Sequence, residues 1–319
     1  MIKFDKVKEW FKDAASVIAF QRDLESVEST LYMEVERELK YRELVPVSNA
    51  DNPGALTVSY KMFTKVGMAK IISEYASDLP TADVYGELVS KQVHVIGVSM
   101  VWTRQEVDSA SMAGVPLETL KAESAREAMH QKMNKLCMLG DAEYDITGLL
   151  NDPNVTEVAA AAGATSTNTA WVSATGASVK TAAEIVNDVS VAYQTVIDQN
   201  EGNFEPDTMI LPYKEYGRIK TLPMSQDNSQ SVLSYLESNF GLTIIPVSDL
   251  KLAFTDGTEG GFMLYTRTPR VLEQKIPLDI VTYPAQESEL KFKVPVEARY
   301  AGVQIRYPIA CVYFTGTSS

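Results

Sequence analysis

The chain contains few of the residues that most often build reactive or metal-binding sites. Among its 319 residues are two histidines and two cysteines. Cys137 and Cys311 share no CxxC or CxxH spacing, which excludes the usual sequence patterns of a zinc site or a redox pair. We expect both to be buried, reduced thiols. We predict that His94 packs within a strand and that His130 lies on a solvated helix surface.

Positive charge is also scarce. The chain has 29 Lys and Arg residues against 42 Asp and Glu residues, a net charge of −13 and an isoelectric point near 4.8. A chain without excess cations cannot displace many counterions from a phosphate backbone, which argues against tight nucleic-acid binding. Its hydrophobic content of 45% and charged content of 22% are typical of a folded globular protein.

Long apolar runs are missing as well. No stretch approaches the ~20 apolar residues that a membrane-spanning helix needs. The N-terminal run "MIKFDKVKEWFKDAASVIAF" mixes acids and bases, without the uninterrupted apolar region of a signal peptide. We therefore expect a soluble chain that is made in a cytoplasm and spans no membrane.

Catalytic motifs are absent, and one acidic stretch is the remaining candidate for chemistry. The chain has no GxSxG, GxxxxGK[ST], HExxH or GxGxxG motif. Within "LCMLGDAEYDITGLLNDP", Asp141, Glu143 and Asp145 alternate, but Ile146 and Asp152 stand where a calcium loop needs Gly and Glu. We interpret the acids as the hydrated exit of a helix and predict no catalytic, cofactor-binding or metal-ligating residue. A hydrolase that uses Asp141 to Asp145 is a minor alternative.

The first hundred residues predict a helix followed by extended chain. Apolar residues recur at steps of three and four from Phe20 to Leu39, which indicates an amphipathic helix. This helix either docks on its own domain or forms an arm on a neighbouring subunit. The runs "ALTVSYKM" and "VHVIGVSMVW" then predict a protruding antiparallel hairpin or a small sheet.

The rest of the chain mixes helices and strands. A long helix is predicted from Pro116 to the stop at Gly140, and a second one after a capping box of Thr181 and Glu184. Between them, "VTEVAAAAGATSTNTAWVSATGAS" favours a surface excursion or a crossover. The last thirty residues alternate apolar and polar side chains, as strands with one core-facing side do. This order predicts an α+β fold with one lobe inserted into another.

Three segments in sequence resemble those of a known family. They are the helix ending in "MLGDAEYDITGLLNDP", the segment "WVSATGASVKTAAEIVNDV" and the terminal "PVEARYAGVQIRYPIACVYFTG". Their order and spacing resemble the major capsid proteins of tailed bacteriophages, which have the Hong Kong 97 (HK97-like) capsid fold. The resemblance covers almost the whole chain. It implies an N-terminal arm (1–47), an extended β-hairpin loop (48–105), a peripheral domain with a spine helix (106–154 and 248–319) and an inserted axial domain (155–247).

The resemblance also implies a function. The chain would be a structural protein and no enzyme, forming hexamers and pentamers of an icosahedral shell around double-stranded DNA, without a cofactor or sequence-specific DNA binding. It would be part of the virion, assembled in the host bacterial cytoplasm beside a portal and scaffold or decoration proteins. An encapsulin-like bacterial compartment shell, which encloses cargo enzymes, is the alternative. The candidate inter-subunit contacts are Leu24, Leu31, Val58, Tyr60 and Met62.

Overall fold

A computed structural model of the chain describes residues 37–71, 80–114, 116–163, 169–173, 179–225, 230–252 and 260–318. The helices and strands of these described residues belong to one unit, Leu39–Ser319. The helix predicted from Phe20 to Leu39, with Leu24 and Leu31, lies almost wholly outside the described residues.

Helices and strands both contribute substantially to the described part of the chain, as the α+β prediction requires. Its α-helices are α1 (Tyr41–Leu44), α2 (Arg104–Ala113), α3 (Leu117–Met138), α4 (Ala182–Asn200), α5 (Tyr213–Thr221) and α6 (Val232–Phe240). Its first strands are β1 (Val47–Ser48), β2 (Thr57–Val66), β3 (Asp83–Gln92), β4 (His94–Thr103), β5 (Thr156–Ala159), β6 (Thr208–Leu211) and β7 (Thr243–Pro246). The C-terminal strands are β8 (Gly260–Tyr265), β9 (Leu272–Lys275), β10 (Leu278–Thr282), β11 (Gln286–Ser288), β12 (Lys291–Tyr300), β13 (Val303–Ile305) and β14 (Cys311–Ser318).

These strands form four sheets in the described residues. β2 and β3 form a separate antiparallel hairpin, and β9 lies between β1 and β13. β12 pairs with β4 along its full length and with β10 and β11 at its two ends. A five-stranded sheet has the order β5-β14-β8-β6-β7, and we call it the shared sheet.

The long helix predicted from Pro116 to Gly140 is confirmed, and we call α3 the spine helix. Pro116 is its N-cap, and Gly140 follows its C-cap with a φ of 68°, a left-handed conformation that glycine adopts without steric cost. One side of the helix packs against β4 and β12, because its apolar residues recur at helical spacing. The buried residues on this side include Ala125, Met129, Met133, Leu136 and Cys137.

The shared sheet separates two hydrophobic cores. Alternate side chains of a strand face opposite sides of its sheet. Tyr265 and Tyr313 face the core around the spine helix, which we call the spine core. Phe262 and Phe314 face the core beneath α4, which we call the lobe core. Both faces of β14 are therefore buried, each in a different core. The prediction that only one side of this strand faces a core is wrong.

The lobe core contains the second amphipathic helix, as predicted. Thr181 Oγ1 accepts the backbone N–H of Glu184, whose Oε2 accepts the backbone N–H of Thr181 at 2.7 Å, so the predicted capping box is confirmed. The side chains Ile185 and Val189 of α4 are fully buried. A helix stabilised in this way gives the shared sheet a rigid apolar cover.

The segment predicted as a surface excursion or a crossover lies only partly at the surface: Thr156 and Glu157 are exposed, whereas Val155 and Trp171 are buried. β5 pairs with β14 in the shared sheet. Trp171 is fully buried and donates its indole N–H to Asp188 Oδ2 at 2.8 Å. The Nζ of Lys180, also buried, lies 2.6 Å from the same oxygen. Composition could not show this, because a buried ion pair becomes visible only when its partners meet in space.

The strand "VHVIGVSMVW" exists, but it is not the second strand of the hairpin. It forms β4 and pairs with β12, from Thr103 opposite Lys291 to His94 opposite Tyr300. The partner of β2 is β3, "DVYGELVSKQ", whose Gly, Glu and Lys residues weaken the strand signal. The predicted loop range 48–105 therefore contains one strand that belongs to the sheet beside the spine helix.

Two glycines allow the chain to cross itself after the spine helix. A Cβ on Gly148 would lie 2.5 Å from the carbonyl oxygen of Met138, and a Cβ on Gly140 would lie 2.1 Å from that of Ile146. Neither contact can relax by a side-chain movement, because both partners are backbone atoms. We therefore expect Gly148→Ala to lower the free energy of unfolding by at least about 2 kcal/mol.

Chemical denaturation of the soluble chain measures this change. Gly217→Ala is the matched control, because nothing lies within 4 Å of its added Cβ and Gly217 is part of α5. Alanine in an exposed helix should raise stability by about 0.5–1 kcal/mol. Equal changes in unfolding free energy for the two substitutions would contradict the conclusion that the chain crossing requires glycine at position 148.

Candidate assembly surfaces

The hairpin of β2 and β3 is a ribbon of ten residue pairs, from Thr57 opposite Gln92 to Val66 opposite Asp83. Within the described residues, neither strand pairs with any strand but the other. Both outer edges therefore carry unpaired backbone N–H and C=O groups. A two-stranded ribbon is marginally stable in water unless something packs against it.

The root of the hairpin is anchored in its own subunit. Val58 is 6% exposed, and Lys91 lies opposite it and donates to the carbonyl oxygen of Val303 at 2.9 Å. The guanidinium carbon of Arg306 lies 5.6 Å from the centre of the Tyr60 ring, a distance at which a cation is attracted to the ring face. These contacts fix where the hairpin leaves the subunit.

The distal half of the hairpin has no such support among the described residues. Phe63 and Leu88 lie on one face of the ribbon and are 65% and 61% exposed, while Val66 and Tyr85 on the other face are also more than half exposed. The Phe63 ring lies over Gly86, whose added Cβ would lie 3.0 Å from it. Apolar side chains on both faces of a ribbon indicate a surface that another molecule covers.

A groove of about 500 Å³ lies between β4 and the spine helix. Its walls include Ile96 and Val98 from the strand and Ala128, Met129 and Lys132 from the helix. In the described part of the chain, β4 pairs with β12 alone, so its other edge is open along the groove. An open strand edge beside an apolar channel can receive an extended segment by backbone pairing.

The predicted contact residues divide into three groups. Val58 is buried in its own subunit, whereas Tyr60 and Met62 are half-buried on the same face of the ribbon. Leu24 and Leu31 lie outside the described residues. Sequence reasoning missed Phe63, Val84, Tyr85 and Leu88, because three of them belong to the strand that the pattern did not reveal. The run "VYGELV" is the signal that could have found it.

In the acidic stretch that follows the spine helix, the side chain of Asp141 caps a turn. Asp141 Oδ1 accepts the backbone N–H of Glu143 at 3.3 Å at the start of a short 3-10 helix, and its Oδ2 lies 3.1 Å from Lys132 Nζ. This hydrogen bond from Lys132 lowers the pKa of Asp141. Asp145 has a φ of 55° and turns the chain back toward the helix. The interpretation as a helix exit is consistent with these contacts.

The apolar residues of the same stretch have a larger structural role. Leu149 and Leu150 donate their backbone N–H groups to the carbonyls of Cys137 and Met138, at 2.7 and 3.0 Å. These bonds satisfy acceptors that the last turn of a helix leaves free. Both leucine side chains are buried in the spine core. The stretch therefore closes the spine helix by packing and backbone bonds.

The described residues offer little for metal or thiol chemistry. None of them form a group of three or more His, Cys, Asp or Glu side chains that could hold a metal ion. Cys137 and Cys311 are free and buried, as expected. Burial raises the pKa of Cys137 to about 12 and also raises that of Cys311, so neither thiol forms a reactive thiolate near neutral pH. No helix in the described ranges is long and apolar enough to cross a membrane.

Comparison with known proteins shows which family this chain belongs to. A sequence model of the major capsid protein family matches residues 67–317. The chain belongs to that family. It is a structural protein of a capsid shell, as the resemblance implied. Among curated proteins, no sequence matches this chain.

Solved capsid structures have the same fold. The capsid of Myoviridae phage XM1 is similar over 92% of this chain and 97% of its own, with a TM-score of 0.79 and 18% identity. The capsid of a native GTA particle matches over 96% and 100%, with a TM-score of 0.66 and 12% identity. A virus-like particle from Pyrococcus furiosus matches over 85% and 90%, with a TM-score of 0.55 and 14% identity. These likenesses confirm the Hong Kong 97 type of fold.

The exposed apolar residues of the hairpin yield a first test. We expect Phe63→Ser with Leu88→Ser to abolish or strongly reduce shell formation, because both side chains are largely solvent-exposed in the subunit and have an apolar surface to bury. Circular dichroism and thermal melting of the subunit should stay close to the wild type. Size-exclusion chromatography and electron microscopy measure assembly.

The cross-strand pair Ser59 and Ser90 provides the control. Both lie on the same face as Phe63 and are exposed, and Ser59→Ala with Ser90→Ala removes no apolar surface. This variant should assemble as the wild type does. Shells of normal yield from the Phe63 and Leu88 variant would show that the hairpin is not an assembly surface.

The acidic stretch yields a second test. Replacing Asp141, Glu143 and Asp145 by Asn, Gln and Asn should leave particles intact, because Glu143 and Asp145 are exposed and an Asn at position 141 can still cap the turn. Leu149→Ala should instead cost about 2–5 kcal/mol of unfolding free energy, because it leaves a cavity in the spine core. Denaturant titration and particle imaging check both. If the acid variant formed no particles while the Leu149 variant kept the wild-type unfolding free energy, the acids and not Leu149 would be the important residues of this stretch.

Proposed function

We propose that the chain assembles as hexamers and pentamers into the icosahedral head of a tailed bacteriophage, around double-stranded DNA. The hairpin is the observation that carries the proposal: a ribbon that leaves the subunit with apolar residues on both faces needs cover from neighbouring subunits. Membership of the major capsid protein family supports the shell. Closed symmetric assemblies reuse one set of surfaces, so modest contacts add up to a stable particle.

The partner of the hairpin is a second copy of the chain. The unpaired edge of β4 and the unpaired edges of the hairpin each lack a neighbouring strand. Apolar side chains line the groove beside the spine helix and are exposed on the hairpin, so the two surfaces are complementary. We propose that the distal hairpin, together with Tyr60 and Met62, lies in the groove of a neighbouring subunit. Val58 acts from within its own subunit, and Leu24 and Leu31 make contacts through the arm.

The domain division remains part of the proposal. Residues 1–47 form the arm, 48–105 the extended loop, 106–154 and 248–319 the peripheral domain, and 155–247 the axial domain at the centre of each capsomer. The shared sheet favours one refinement. β8 and β14 come from the C-terminal range, yet one face of each packs into the lobe core. The axial domain therefore depends on two strands that the sequence places in the peripheral range.

Charge supports a role as a container for DNA. With a net charge of −13, the shell subunit has no excess cations to hold the polymer tightly, which permits DNA to slide during packaging. We propose assembly in the host bacterial cytoplasm, with a portal and scaffold or decoration proteins as further partners. No enzymatic step and no sequence-specific DNA contact belongs to this role.

An encapsulin-like compartment shell is the second candidate. A virus-like particle from Pyrococcus furiosus is similar at a TM-score of 0.55, but this likeness does not favour the compartment shell, because it concerns the fold and says nothing about cargo. The likeness to the phage XM1 capsid has the higher TM-score, 0.79, and the phage head is therefore the first proposal. The two differ in cargo, which is DNA in one case and protein in the other.

Imaging and cargo determination test the proposal together. The expressed chain should form uniform shells, or hexameric and pentameric rings, in electron micrographs after size-exclusion chromatography. Native particles should contain DNA that resists nuclease until the shell is opened. Protein cargo without DNA would establish the compartment shell instead. A strict monomer at high concentration would contradict both.

A further inference from the structure

Four side chains hold α1 against the spine helix, and we call Tyr41, Arg42, His130 and Asp279 the Tyr41 clamp. The Tyr41 hydroxyl oxygen lies 2.8 Å from His130 Nδ1. Arg42 Nε donates to the same hydroxyl at 3.0 Å, and its Nη2 donates to Asp279 Oδ1 of β10 at 2.6 Å. His130 is therefore half-buried and bonded, and the expectation that it lies on a solvated helix surface is wrong.

The proton positions in the clamp follow from its donors. A guanidinium group can only donate, so the Tyr41 oxygen accepts from Arg42 and keeps its own proton to give. His130 Nδ1 must then be unprotonated to accept that proton. Within the described residues, the other acceptor in reach is Met133 Sδ at 4.0 Å, and a thioether is a weak acceptor. A hydrogen bond from the Tyr41 hydroxyl to His130 therefore requires an unprotonated Nδ1, and protonation of Nδ1 leaves that hydroxyl only the weak acceptor Met133 Sδ among the described residues.

The surrounding charges favour this neutral form. Burial lowers the pKa of His130, and Arg42 and Arg126 lower it further, whereas Glu127 and Asp279 act in the opposite direction. Burial favours a higher pKa for Asp279, but hydrogen bonds from Arg42 and from the backbone of Ile280 outweigh it and lower the pKa. Asp279 therefore stays ionised while His130 titrates.

We propose that protonation of His130 opens the Tyr41 clamp and frees the Tyr41 side chain from the spine helix. The clamp is complete above the ordinary imidazole pKa of about 6.5. It is lost as the pH falls below that value, because the unfolded or open chain binds the proton more readily than the closed one. Two other bonds to α1, from Gln274 to Tyr41 O and from the Tyr265 hydroxyl to Leu44 O, do not titrate in this range.

The consequence for the shell rests on the proposed function. The proposed arm is residues 1–47, so Tyr41 and Arg42 place the clamp near the C-terminal end of that arm. Acid would then loosen the C-terminal end of the arm from the spine helix, at a tyrosine that belongs to the spine core. The opening itself is a property of one subunit, so it can be measured without any shell.

Hydrogen–deuterium exchange of the soluble full chain tests the clamp at pH 7.5 and 5.0, with rates corrected for intrinsic exchange. The amides of Glu43, Leu44 and Val45 close the turn of α1 and report its opening. In the wild type, their protection should fall between the two pH values, by up to about tenfold for each pH unit between the open-state imidazole pKa of about 6.5 and the lower pKa of the closed clamp. Tyr41→Phe should show low protection at both.

His130→Asn separates the clamp from general acid effects. It places a neutral amide oxygen near the position of Nδ1 and should retain protection at both pH values. His94→Asn, at the other histidine, is the matched control and should keep the wild-type pH dependence. An unchanged wild type, or a loss of protection that persists in His130→Asn, would overturn the proposal. Imaging the same samples at pH 7.5 reports assembly separately, so failure to form shells would not affect this result.

Discussion

Burial of the shared sheet on both faces is the constraint on which the rest of the subunit depends. β8 and β14 contribute alternate side chains to two cores, so a displacement of either strand changes the packing of both cores. Two tyrosines on the spine-core face of this sheet connect it to neighbouring segments by hydrogen bonds. The Tyr265 hydroxyl donates to Leu44 O at 2.9 Å, and the Tyr313 hydroxyl donates to Leu149 O at 2.6 Å. The places of α1 and of the helix exit therefore follow from the sheet.

The hairpin, in contrast to the shared sheet, is largely exposed. Its root is fixed by Lys91 and by the Arg306 contact with Tyr60, while its distal half has no core of its own in the described residues. A subunit with a complete interior and an incomplete ribbon is suited to a shell, because the missing contacts become available only in the assembly. The unpaired edges of the hairpin can also pair with other chains and so favour aggregation. Rapid assembly is advantageous because it covers these edges.

Polar chemistry in this chain positions structural elements. Asp188 receives Lys180 and Trp171 inside the lobe core, Asp141 caps a turn, and the Tyr41 clamp connects α1 to the spine helix and to β10. Each group is used as a hydrogen-bond partner at the end of a helix or between two elements. His130 is conspicuous because the chain has only two histidines and because its contact with Tyr41 connects α1 to the spine helix.

The sequence by itself determined the spine helix, the capping box at Thr181, the terminal strands and, through segment order, the capsid family. These features depend on neighbours a few residues apart, such as helical spacing, Pro116 and Gly140. Tertiary structure alone decided the partner of β2, the burial of Trp171 and the second buried face of β14. Pairing and burial depend on residues far apart in the chain. "DVYGELVSKQ" is a strand because β2 lies beside it, and Trp171 is internal because Asp188 accepts its N–H.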